Sequence, residues 1–126
     1  MIVYACADLI FATKIRGTAD ALGIVSRPTR DIDKLRARLE RVDDGKPNDA
    51  VTALLIDLDL GEDAIDLIRF AVAHPARPAI LAFGAHVAVD LLNQAAEAGA
   101  SPVMARGAFT AQLPMILQQL DQPSTT

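Results

Sequence analysis

The sequence predicts a single doubly wound α/β domain, a parallel sheet of five strands with five helices shared between its two faces. Three observations carry this. Five short apolar segments alternate with five amphipathic ones, the order in which right-handed crossovers wind a parallel sheet. Residues 51–56 form a nearly continuous apolar run, the pattern of a central strand covered on both sides. The chain has 126 residues, 52% of them hydrophobic, enough to bury roughly two-thirds of its surface around one core.

Residues 2–6 are short, apolar and partly β-branched, which reads as a buried strand. Asp8 suits a helix N-cap. Leu9, Phe11, Ala12, Ile15, Ala19 and Leu22 then recur at helical spacing until Gly23 stops the run. Gly17 interrupts that helix at a cost of ~1 kcal/mol relative to alanine, as a packing or partner contact or as a neutral substitution. Residues 24–26 make a very short strand before Pro28. Thr29 or Asp31 opens the second helix, whose apolar stripe is Ile32, Leu35, Leu39 and Val42. Residues 43–49 are rich in turn formers and read as a loop.

Beyond the strand at 51–56, a third helix spans 63–73 with Ile65, Ile68 and Val72 inward. His74 closes it, because the residue before Pro75 is biased away from helix. A strand at 78–83, a helix at 87–98 ending at Gly99, and a strand at 102–105 follow. The last helix, 109–120, turns Leu113, Ile116, Leu117 and Leu120 inward.

Composition narrows the function. The formal charge is −4, and the basic stretch from Arg27 to Arg41 is interleaved with Asp31, Asp33 and Glu40. Four Phe, one Tyr and no Trp give no platform for base stacking, so nucleic acid is not an expected partner. No apolar run approaches the ~20 residues that span a bilayer, so no membrane partner is expected either. One cysteine and no basic leader after Met1 lead us to expect a cytoplasmic protein. His74 and His86 lack ligand spacing, and Cys6 reads as a small buried hydrophobe. Gly61, Gly84, Gly99 and Gly107 form no phosphate-binding loop. The chain is not expected to be an enzyme.

Ligands of a doubly wound sheet sit outside the carboxyl ends of its strands, and Asp57 stands directly after the 51–56 run. It reads either as a carboxylate held rigidly in that crevice or as a capping, solvated residue. Asp59 and Asp8 could join it, and three carboxylates would suit Mg²⁺. Against this, Asp8 is a good N-cap and Asp59 precedes Gly61.

The Leu54-Leu55-Ile56-Asp57 strand end, Pro78 at the fourth strand and Glu97-Ala98-Gly99-Ala100 before the fifth resemble the receiver domain of bacterial response regulators. With the length and the alternation, the resemblance covers essentially the whole chain. It implies a flavodoxin-like sheet of order 2-1-3-4-5, a receiver-like domain over residues 1–121 and a flexible tail at 122–126. It also sets Asp57 at the phosphoacceptor position of two-component signalling.

The rest of the receiver pattern is missing. Where receivers carry the acid pair that binds Mg²⁺, this chain has Cys6-Ala7, with Asp8 one step late. The Thr or Ser ending strand four is matched by Phe83, or by Gly84 with a one-residue shift. Arg106-Gly107 stands for the Lys-Pro of strand five, and Val103 for the switch aromatic. Phosphoryl transfer rests on positioning and charge neutralisation, and a planar guanidinium does not replace an ammonium point for point.

The reading is therefore a pseudo-receiver without cofactor, in which Arg106 pairs with Asp57 and fixes one state. It signals by contact with a protein partner or a second copy through the fourth helix, fifth strand and fifth helix. Val87, Val89, Phe109 and Met115 are the candidates for exposure on that face. The alternatives are a Mg²⁺-dependent phosphoaccepting receiver using Asp57 with Asp8 or Asp59, and a flavodoxin-like module with a nucleotide or flavin near Ala7, Asp57 and Gly84.

Overall fold

A computed structural model describes residues 1–43, 46–47 and 49–121. Strands β1 (Ile2–Ala5), β2 (Ser26–Pro28), β3 (Ala53–Asp57), β4 (Ala79–Gly84) and β5 (Val103–Ala105) form one parallel sheet. Their order is β2-β1-β3-β4-β5, which is the expected 2-1-3-4-5.

Period-two alternation assigns the two faces. Ile2, Tyr4, Leu55, Leu81 and Phe83 pack under α1 (Leu9–Ala21), α5 (Arg106–Ala111) and α6 (Leu113–Leu120). Val3, Ala5, Leu54, Ile56 and Ala82 pack under α2 (Ile32–Leu39), α3 (Glu62–Ala73) and α4 (Val89–Ala98). Each fully buried Leu, Ile or Phe on these faces contributes about 1.5–3 kcal/mol, and the central strand β3 is buried along its whole length. Among the described residues, no helix is long and apolar enough to cross a membrane.

Among the described residues the α-helices number six rather than five, with a 3₁₀ turn (Leu58–Leu60) after β3. The last predicted helix is divided in two because Pro114 has no N–H to bond back into the turn before it. Its first half begins at Arg106, directly off β5, not at Phe109. Strand β2 lies two residues later than expected. The Ile24 amide is taken by the Ala19 carbonyl closing α1, and pairing to β1 starts with Ile2 N–H to Val25 O. Pro28 fits in this strand because it is an edge, where one ladder donor is dispensable.

Helix α2 ends at Leu39 because Arg41 takes a left-handed φ of 65°. Val42 is therefore half-exposed and pairs with Pro47 in a small antiparallel ribbon, Val42–Asp43 with Lys46–Pro47, where a loop was expected. Residues 44, 45 and 48 of that loop, and the tail at 122–126, lie outside the described residues. Two other inward assignments are corrected. Leu9 overhangs the sheet edge in the first turn of α1 and is exposed. Val72 lies at the margin of the α3 stripe, which instead turns Ala64, Ile65, Leu67, Ile68 and Ala71 inward, and it is half-exposed. Gly17 sits within continuous helix, and a Cβ there would meet nothing within 4 Å, so close packing does not explain it.

Gly99 ends α4 with φ 117°, and a Cβ there would lie 2.7 Å from Val72 Cγ2. Backbone strain and steric overlap therefore add. Gly99→Ala is expected to lower the unfolding free energy by about 1–3 kcal/mol in urea titration. Val72→Ala in the same chain should return only part of that loss, since it removes the overlap and leaves the strained φ.

Candidate functional site

Alternation along β3 puts Asp57 on the face of Leu55, and parallel pairing sets it beside Phe83 at the end of β4. Its carboxylate is fully buried. Three groups satisfy it there. The Ala7 amide donates to Oδ2 at 3.1 Å, the Asp59 amide to Oδ1 at 3.0 Å, and Arg106 Nη2 to Oδ1 at 2.9 Å. The same Arg106 nitrogen lies 2.8 Å from Asp59 Oδ2. One guanidinium thus ties the end of β5 to the end of β3 and to the 3₁₀ turn beyond it.

Arg106 is the first residue of α5, a helix start with no side-chain cap. A cation is disfavoured at the positive end of a helix, and partial burial also opposes its charge. The hydrogen bonds and charges of Asp59 and Asp57 outweigh both and hold the guanidinium above its ordinary pKa. Its other face lies over Phe11, 5.8 Å from the ring centroid.

Beneath this pair runs an aromatic stack. Phe83 and Phe109 are parallel within 3° at a centroid distance of 4.2 Å, and Phe11 lies 5.2 Å from Phe83. Phe83 fills, with an apolar ring, the place at the end of β4 where a hydroxyl would face the crevice. Its alternative, Gly84, is closed to a side chain: a Cβ there would be 3.0 Å from Leu58 Cβ. Phe109 is therefore a core residue, not an exposed contact as its sequence position suggested. Val87, Val89 and Met115 are exposed, and Val103 is partly buried against α4.

The remaining candidates are not drawn in. Asp8 caps α1, its Oδ1 accepting from the Phe11 amide at 2.7 Å. The Cys6 thiol is pushed up to about 12 by burial and by the charges of Asp57 and Asp8, with Arg106 opposing. Among the described residues, no group of three or more His, Cys, Asp or Glu side chains is arranged to hold a metal ion.

No protein-family model and no curated protein matches the sequence. Solved structures match it closely in shape. A response regulator from Thermotoga maritima superposes with a TM-score of 0.71 at 16% identity, over 94% of this chain and 95% of its own. The receiver domain of NtrX from Brucella abortus gives 0.75 at 15% identity, over 98% and 100%. The fold is that of response-regulator receiver domains. A longer NtrX chain from the same organism contains it as a part, matched over 26% of its length with a TM-score of 0.72 at 15% identity.

A receiver fold implies a bound Mg²⁺, and the residues present do not fit one. A divalent cation needs oxygen ligands free to face it. Here Cys6 and Ala7 stand where an acid pair would ligate it, both oxygens of Asp57 accept N–H donors, one of them from the Arg106 guanidinium, and Asp8 Oδ1 caps α1.

The raised thiol of Cys6 gives a direct check on this local field. At about pH 8, iodoacetamide should alkylate Cys6 in the folded chain roughly 30-fold more slowly than in the urea-unfolded chain, the lower thiolate fraction outweighing its greater basicity. Equal rates would show that neither burial nor the charges of Asp57 and Asp8 hold the thiol protonated.

Proposed function

We propose that this chain is a pseudo-receiver that takes part in signal transduction through protein–protein contact, independently of phosphorylation. The observation that carries this reading is the Arg106 guanidinium on Asp57, 2.9 Å from Oδ1. A phosphoacceptor carboxylate must offer an oxygen to the incoming phosphorus and have its charge neutralised by groups that move with the transfer. Asp57 has its charge already compensated within the chain, and breaking the pair would leave a buried carboxylate unpaired, which is costly.

The readout of a receiver also needs parts that change place. Phe83 has no hydroxyl to follow a phosphoryl oxygen, and its ring packs against those of Phe11 and Phe109, which also touch each other. Val103 offers no aromatic ring to swing behind it. The domain then presents one surface at all times. By analogy with receivers, that surface is formed by α4, β5 and the α5–α6 pair, and Val87, Val89 and Met115 offer exposed apolar area on it.

Incubation with Mg²⁺ and acetyl phosphate, followed by intact-mass measurement, tests the reading. The expected spectrum is that of the unmodified chain. A stable gain of one phosphoryl group, lost in Asp57→Ala, would establish instead a phosphoaccepting receiver.

A further inference from the structure

A second cleft opens on the α1 face of the sheet, between α1 and the segment that follows β2. It encloses about 310 Å³ and is floored by Tyr4, Cys6 and Pro28. That is the lower end of the range for small-molecule sites, roughly 300–1,000 Å³. Asp57 and Arg106 do not line it.

Its walls carry opposed cations. Arg16 stands on α1 and Arg30 on the segment after β2, and neither forms an ion pair with a described residue. By contrast, Arg36 is paired with Asp33 and Arg106 with Asp57 and Asp59. Tyr4 lines the floor with only 3% of its surface exposed, and its hydroxyl makes no hydrogen bond to a described residue. The ring is buried while the hydroxyl reaches the solvent of the cleft: among the described residues, the fully buried side-chain atom left without a partner is Ser26 Oγ. Burial also raises its pKa, with the charge of Arg16 opposing, so it remains a donor. The one acid in the lining, Asp8, turns an oxygen to the Phe11 amide, and two positive charges against one leave the cleft cationic.

We propose that this cleft binds a small phosphate monoester, no larger than a mononucleotide. Two guanidinium forks on opposite walls match a dianion with three terminal oxygens better than a two-oxygen carboxylate. The Tyr4 hydroxyl supplies a further donor from the floor. Ala12, Pro28 and the Tyr4 ring give the carbon skeleton of such a ligand an apolar bed. The site is separate from the Asp57 pair, so it stands whether or not Asp57 accepts a phosphoryl group.

Titration of the ¹⁵N-labelled chain with ribose 5-phosphate, with ribose as the uncharged control, tests it. Saturable amide shifts are expected within residues 4–16 and 28–30 for the phosphate ester alone. Arg16→Gln and Arg30→Gln should each weaken binding roughly tenfold while leaving the free spectrum otherwise intact. Asp8→Asn preserves the cap, since Asn serves as well there, but removes the negative charge, and should tighten binding about threefold. The proposal is overturned by the absence of saturable shifts up to about 10 mM, by equal shifts with ribose, or by an affinity that these variants leave unchanged.

Discussion

A carboxylate with no solvent exposure and a guanidinium at the wrong end of a helix are each unfavourable alone, and the crest of this sheet is built by joining them. Asp57 is fixed by β3, the most protected strand, and Arg106 by the abrupt passage from β5 into α5. The pair spans the end of β4, where Phe83 is the register partner of Asp57 and packs in the core of the same face. Asp59 adds the second carboxylate that balances the helix end, and so draws the 3₁₀ turn after β3 into the same contact.

The aromatic stack depends on that closure and supports it in turn. Phe11 comes from α1, Phe83 from β4 and Phe109 from α5, and their rings fill the volume directly below Arg106. A polar switch residue at position 83 would sit against two apolar rings with no partner, a cost of about 1–3 kcal/mol for an unsatisfied buried hydroxyl. The chain thus combines an ion pair at the carboxyl edge of the sheet with an aromatic cluster packed beneath it.

Much of this was legible in the sequence. The continuous apolar run before Asp57 and the five-fold alternation led to the doubly wound sheet and both helical layers, and the resemblance to receivers led to the strand order. Arg106 was read as the partner of Asp57 because the resemblance to receivers sets it at the position of the strand-five lysine. The misplacements have local causes: a left-handed Arg41 moved Val42 out of α2, Pro114 divided the last helix, and carbonyl competition at Ala19 delayed β2. The Phe11–Phe83–Phe109 stack was not legible, because three side chains on three elements carry no shared period. Nor was the Tyr4 cleft, since its two arginines lie 14 positions apart and meet only through the crossover.

A double-mutant cycle on Asp57 and Arg106 measures the strength of this pair. Asp57→Asn, Arg106→Met and the double variant would be unfolded in urea beside the parent chain. Hydrogen bonds to charged groups contribute about 1.5–3 kcal/mol, reduced here because Arg106 keeps 31% of its side chain exposed. A favourable coupling of about 1–2 kcal/mol is expected. A coupling indistinguishable from zero would mean that Arg106 does not hold Asp57, and the proposed function would lose the observation that carries it.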